Sequence, residues 1–202
     1  MSVINIVRKD NHISIAADSL VTSGERICDR SMLIDSKICQ IGDNYLGFVG
    51  YYAHGQVFDS LMENHGEEFE FDTRANIFKS MQRFHKILKK EYHLNTSDDQ
   101  DQPYESSQVS FLVANPHGIF EVDTYREVFE YTAYWSIGSG SSYALGAMHA
   151  IYEDPNYDAE TIAYAGVEAA SKFSNSCSLP ADVYSLEFAA KNGLQKEAVL
   201  SR

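Results

Sequence analysis

The 202-residue sequence predicts an α+β fold in four layers, with two antiparallel sheets back to back and a helix pair on each outer side. Three observations predict it. Apolar segments come in blocks: strands, two helices, strands, two helices and a last strand. The strand segments are almost continuously apolar, which suits sheets covered on both faces. The helical segments repeat apolar residues three and four apart, so each buries one face. The length suits one domain with a sizeable core, and no internal repeat divides residues 1–202.

The elements follow in order. Residues 3–7 and 13–17 read as strands around a polar turn, Lys9-Asp10-Asn11-His12. Residues 38–41 and 45–49 make a second pair around Gly42-Asp43-Asn44. A helix follows Gly50 through Phe58, Leu61 and Met62. Asp72 can cap a longer one, whose Ile77, Met81, Phe84, Leu88 and Tyr92 lie on one helical face. Residues 95–107 are polar and read as a surface loop. Strands return at 109–114 and 119–123 around Asn115-Pro116-His117-Gly118, and one more runs over 128–137. Ser141 or Ser142 can cap a third helix through Leu145, Met148 and Ile151. Asp158 can cap a fourth, with Ile162, Gly166, Ala169 and Phe173 on one face, and residues 183–188 close as a strand.

Composition narrows the function. The formal net charge of −13 repels phosphate backbones, so nucleic acid is not an expected partner. Apolar runs fall short of a membrane span, and the start of the chain lacks the basic and apolar regions of a signal peptide, so a cytoplasmic location is expected. Cys28, Cys39 and Cys177 form neither a disulfide framework nor a zinc pattern and are expected to be buried thiols. The histidines show no metal-binding spacing, and no glycine loop cradles phosphate. The expectation is therefore no cofactor, no metal and no ATPase in this chain. The acid-rich stretch 63–70 reads as a solvated loop.

Ser2 follows the initiator Met, and its small side chain permits removal of Met1. An α-amine beside a hydroxyl then offers base and nucleophile in one residue. Many cytosolic proteins begin Met-Ser without such a role, so this feature alone leaves several sites open.

Three segments add to it. The opening SVINIVRKDNHISIAADSLVTSG resembles the start of mature proteasome β-subunits and of the bacterial HslV-type peptidase. Those chains run from a nucleophilic Thr through a hairpin to an Asp-Gly or Asp-Ser pair, here Asp18-Ser19. DSKICQIGDNYLGFVGYYAHGQVF resembles the lysine strand and glycine turn of that family, and IGSGSSYALGAM its Gly-Ser-Gly-Ser-x-Tyr-Ala signature. The order and spacing of the motifs carry the resemblance, over most of the chain to about Phe188. It implies the N-terminal-nucleophile hydrolase fold, with residues 189–202 as a C-terminal extension.

Residue by residue, the resemblance implies Ser2 as nucleophile, Asp18 beneath it holding Lys37, the Gly50 N–H as oxyanion donor and Ser139 orienting the amine. Val21, Thr22, Phe48 and Tyr52 fall where the family pairs with an extended peptide and shapes its side-chain pocket, which predicts a preference for apolar residues. Singly, each has a plainer reading: Asp18 as a turn former, Lys37 on the surface, Gly50 as a helix entry, Ser139 as a cap, Phe48 as core.

Two departures stand out. The usual Thr is Ser here, without the γ-methyl that restricts its rotamer. Where proteasome subunits carry Asp-x-x-Ser-Gly-Gly, this chain has Asn175-Ser176-Cys177-Ser178-Leu179-Pro180, so Asn175 lacks the charge and Ser178 keeps a donor near the amine. The implied function is peptide hydrolysis by a threonine-peptidase-like enzyme with a serine nucleophile. The implied assembly is a homo-oligomeric ring or double ring, and the tail leaves open any ATPase unfoldase partner. A catalytically inactive ring subunit and a small-molecule amidase of the same mechanism are the alternatives.

Overall fold

A computed structural model of the chain describes residues 2–95 and 102–189. The expected extension, apart from Ala189, and part of the expected polar loop lie outside the described residues.

The chain opens as an antiparallel hairpin, β1 (Ile4–Lys9) and β2 (His12–Asp18), turning where Asp10 adopts φ 53°. A short hairpin follows, β3 (Val21–Ser23) and β4 (Arg26–Cys28), which sequence patterning missed because each strand has only three residues. β5 (Ile38–Ile41) and β6 (Asn44–Val49) start the second sheet. Helices α1 (Tyr52–His65) and α2 (Arg74–Glu91) follow. β7 (Ser110–Asn115) and β8 (Gly118–Val122) turn through Asn115, whose Oδ1 accepts the N–H groups of His117 and Gly118.

The single strand expected over residues 128–137 is two strands, β9 (Val128–Tyr131) and β10 (Tyr134–Ile137). The apolar pattern is continuous, but the chain changes sheets between them. β9 edges a five-stranded sheet ordered β5-β6-β7-β8-β9, whereas β10 pairs with β1 in the other sheet. Helices α3 (Ser141–Ile151) and α4 (Ala159–Phe173) and strand β11 (Ala181–Glu187) complete the order, giving a four-stranded sheet β10-β1-β2-β11.

Three apolar clusters mark the layers. Ile4, Ile6, Ile13 and Ile15 meet Leu112, Ala114 and Ile119 between the sheets. Phe58, Leu61, Ile77, Met81, Phe84 and Leu88 pack on the outer face of the five-stranded sheet. Val3, Val7 and Ala16 meet Ala144, Met148, Ile162 and Val167 on the outer face of the other. This is the expected four-layer α+β sandwich. No helix of the described residues is long and apolar enough to cross a membrane.

Capping differs from expectation at two helices. Thr73, not Asp72, caps α2 by accepting Asn76 N–H, while Asp72 accepts the Asn76 side chain. Gly140, with no side-chain cap, precedes α3 in place of either serine. A Cβ at 140 would fall 2.7 Å from Cys177 Sγ and 2.8 Å from Ala170 Cβ, so helix packing demands glycine there. Asp158 caps α4 as expected, through Thr161 N–H. The α4 face is rotated from the expected one: Ala163, Gly166, Val167 and Ala170 are buried beside Ile162, and Phe173 is exposed. Of the thiols, Cys177 is buried, while Cys28 and Cys39 are half-buried.

Asn5 is a polar residue sealed in the helix-facing layer. Its Nδ2 donates to Ala163 O at 2.9 Å and its Oδ1 accepts Ser136 Oγ at 2.8 Å, so its polar groups are matched rather than stranded. Between the sheets, closeness depends on Gly47: a Cβ there would meet Ile4 Cγ2 at 2.6 Å. Gly47→Ala is expected to lower the urea midpoint by the equivalent of about 1–3 kcal/mol at unchanged slope. An unchanged midpoint would show that the sheets do not depend on that contact.

Candidate active site

The site is built around the end of β2, where the hairpin delivers Asp18 beneath the start of β1. Asp18 is fully buried. Its Oδ1 accepts the Val3 N–H at 2.9 Å and the Lys37 ammonium at 2.7 Å. Its Oδ2 accepts the Leu20 N–H at 3.0 Å and the Ser178 N–H at 3.2 Å. Four donors satisfy one carboxylate, three of them backbone groups that cannot swing away. Lys37, just ahead of β5, is itself largely enclosed, with 14% of its side chain exposed. The ion pair is therefore shielded from water, where charge attraction is stronger than at a surface.

Ser2 lies one residue above this anchor. Its nitrogen is 3.2 Å from Ser139 Oγ, and that hydroxyl also donates to the Ser2 carbonyl at 3.3 Å. The same carbonyl accepts Gly140 N–H at 3.2 Å. Gly138, part of the serine-glycine motif but assigned no role from sequence, has φ +94°, and a Cβ on it would fall 2.3 Å from Ser2 O. The motif is therefore a backbone cradle for Ser2 that admits no side chain at 138.

Ser2 and Lys37 line one cavity of about 360 Å³, together with Val21, Thr22, Phe48, Gly50 and Tyr52. All the residues expected to contact substrate thus meet there. Gly50 sits at the turn from β6 into α1 with φ +134°, a conformation that glycine tolerates readily. Its N–H is taken up by none of the turn and loop hydrogen bonds among the described residues. The His54 ring packs against it: a Cβ on Gly50 would lie 3.0 Å from His54 Nδ1. Burial holds the His54 pKa below its usual value, which favours a neutral ring beside Gly50.

The remaining two predicted residues stand differently. Ser178 joins through its backbone, donating to Asp18 and accepting Ser19 N–H at 3.1 Å. Asn175 is exposed, and its Oδ1 accepts from Ser176 Oγ at 3.2 Å.

Sequence reasoning missed part of the cavity wall. Asp35, Cys39, Gln56 and Asp59 also line it. Asp35 accepts a hydrogen bond from the Tyr52 hydroxyl. The helical spacing of Tyr52, Gln56 and Asp59 was the available signal, since residues three and four apart share a helix face. Among the described residues, no group of three or more His, Cys, Asp or Glu side chains is placed to hold a metal. The chemistry the cavity offers is that of a hydroxyl, a largely enclosed ammonium and backbone N–H groups, a set suited to acyl transfer.

Comparison with known proteins bears on this arrangement. Residues 4–183 match the profile of the protein family described as proteasome subunit. The ATP-dependent protease subunit HslV of Trypanosoma brucei brucei is 30% identical over 161 residues, covering 78% of this chain and 69% of that protein. HslV of Thermoanaerobacter pseudethanolicus is 28% identical over 177 residues, covering 85% and 90%. Among solved structures, Thiobacillus denitrificans BPH superimposes with a TM-score of 0.87 at 36% identity, covering 93% of this chain and 99% of that one. The same protein in complex with epoxomicin gives 0.86. Eukaryotic HslV from Trypanosoma brucei, at 24% identity and a TM-score of 0.71, shares the fold.

Because Asp18 ties together four segments with no solvent exposure of its own, Asp18→Ala is expected to cost about 3–5 kcal/mol of unfolding free energy, mostly from stranding the Lys37 charge. Chemical denaturation measures this, and a loss under about 1 kcal/mol would show the pair to be a surface-like contact.

Proposed function

The chain belongs to the proteasome family, that of the β-subunits and HslV-type peptidases, and on that premise we propose that it hydrolyses peptide bonds with Ser2 as nucleophile after loss of Met1. The observation that carries the proposal is the shared Asp18 oxygen: one buried atom binds both the Val3 N–H next to Ser2 and the Lys37 ammonium.

With Met1 removed, the Ser2 nitrogen is an α-amine, and Ser139 Oγ at 3.2 Å is positioned to orient it. The amine takes the proton as Ser2 Oγ attacks the scissile carbonyl. The nearby ammonium of Lys37 favours deprotonation of both groups by charge proximity. Negative charge that develops on the carbonyl oxygen is met by the Gly50 N–H, a donor of the kind worth about 3 kcal/mol in an acyl-transfer transition state. The amine then returns its proton to the leaving group, and water hydrolyses the Ser2 ester by the same route in reverse. Serine in place of threonine leaves the nucleophile less restricted in rotamer.

The cavity wall provides the edges for an extended peptide. Val21 and Thr22 lie in the short strand β3, and Gly50 follows the end of β6, so a substrate strand between them is held by its backbone. The proteins it resembles include ones named as subunits of an ATP-dependent protease. That supports assembly into a homo-oligomeric ring or double ring in the cytoplasm, with an ATPase unfoldase as a candidate partner.

Intact mass spectrometry tests the chemistry. The expected outcome is loss of one Met and a single β-lactone adduct on Ser2. Ser2→Ala should abolish both the adduct and peptide hydrolysis, and Lys37→Ala should lower kcat/KM by about a hundredfold or more. Retained Met1 with no adduct would defeat the proposal. Light scattering should report a mass several times that of the 22.7 kDa chain, and a monomer would contradict the ring.

A further inference from the structure

The cavity beside Ser2 was expected from sequence to be apolar, and its walls are only partly so. Val21, Phe48 and Phe58 supply apolar surface. Two carboxylates, Asp35 and Asp59, line the same space. They come from separate parts of the chain. Asp35 precedes β5 by three residues, and Asp59 lies on α1, seven residues after Tyr52. The Tyr52 hydroxyl donates to Asp35, which fixes that carboxylate to the first turn of α1. Gly55, which also lines the cavity, has open space where a Cβ would project, so the route along this face of the helix is not blocked.

No positive charge of the described residues answers these two acids. Lys37 is committed to Asp18 at 2.7 Å, and Arg30 to Asp182 at 3.2 Å. Neither Asp35 nor Asp59 forms an ion pair among the described residues. Groups around the two acids are shifted by burial and hydrogen bonding first, with the like charges adding to it. The Asp59 carboxyl is held above its usual range by partial burial, then by the charges of Asp35 and Glu63. The Cys39 thiol is pushed up to about 12, by burial and then by Asp59. The Tyr52 phenol is raised, first by its hydrogen bond to Asp35.

We propose that Asp35 and Asp59 make this cavity a pocket for lysine or arginine, on the residue whose carbonyl Ser2 attacks. The inference rests on the reading of Ser2 as nucleophile. A long cationic side chain fits both parts of the wall. Its methylene stem covers Val21 and Phe48, and its head reaches the carboxylates. A carboxylate guest meets repulsion from two like charges, so the same residues exclude acidic side chains. A leucine guest covers the apolar wall and leaves the acids without a counter-charge.

The test uses purified full-length protein and fluorogenic peptides that differ only in the residue before the scissile bond: Arg, Lys, Leu or Glu. Arg and Lys are expected to exceed Leu in kcat/KM by about tenfold or more, with Glu slowest. The Arg-to-Leu ratio should fall toward one in Asp59→Asn and further in the Asp35→Asn, Asp59→Asn double variant. It should recover in Asp59→Glu and narrow as salt is raised. Asp59→Lys should invert the preference toward Glu. A wild-type preference for Leu, or a ratio unmoved in the double variant, overturns the pocket assignment while a Ser2 adduct with β-lactone still stands. Absence of both adduct and cleavage overturns the nucleophile reading, and the inference falls with it.

Discussion

A single buried carboxylate organises this molecule. Asp18 has no exposure to solvent, and every one of its four donors comes from a different place: the start of β1, the segment after β2, the lysine ahead of β5 and the loop ahead of β11. A charge removed from water must be matched by nearby donors, or it reverts to its neutral form. Here the matching groups are mostly peptide N–H groups, whose positions are set by the fold. The lysine is thus delivered to the cavity by the same atom that holds the first strand in register. Stability and the candidate chemistry share one interaction.

The layers explain why such a site is rigid. The first hairpin is covered on one face by the other sheet and on the other by α3 and α4. β1 is central in its sheet, flanked by β10 and β2. A residue at its start is therefore fixed on both sides. The cradle made by Gly138 and Gly140 reaches Ser2 directly from the β10–α3 connection, because β1 and β10 are paired in register from Ile4–Ile137 to Val7–Tyr134. Backbone cradles require close approach, and close approach requires glycine.

The cavity obeys a different logic. Its walls come from β3, the ends of β5 and β6, the segment ahead of β5 and one face of α1, and several of its side chains are exposed. A rigid scaffold with a variable rim is the common division of labour between core and function. The anchor at Asp18 belongs to the first category, and the acids at 35 and 59 to the second. Substitutions at the rim can alter which side chain enters without disturbing that anchor.

Much of this was legible in the residues themselves. The α2 face at Ile77, Met81, Phe84 and Leu88 is buried as its spacing requires, and the hairpin turns at Asp10 and Gly42 fall where polar and glycine residues interrupt apolar runs. Ser2, Asp18, Lys37, Gly50 and Ser139 could be picked out as a set because motif order along the chain preserves their order in the fold. Periodicity and turn chemistry are local, and local patterns survive in one dimension. What remained hidden depended on partners distant in sequence. Continuous apolarity over residues 128–137 concealed a change of sheet, because both sheets bury both faces. Gly140 replaced the serines as the start of α3, because Cys177 and Ala170 press on that point. Asp35 and Asp59 share no motif in the sequence, and only the packing of α1 beside β5 brings them to one cavity. Charge and cavity shape are properties of three-dimensional neighbourhoods, so the residue types and their periods were set by the sequence alone, and the character of the pocket was decided by tertiary packing.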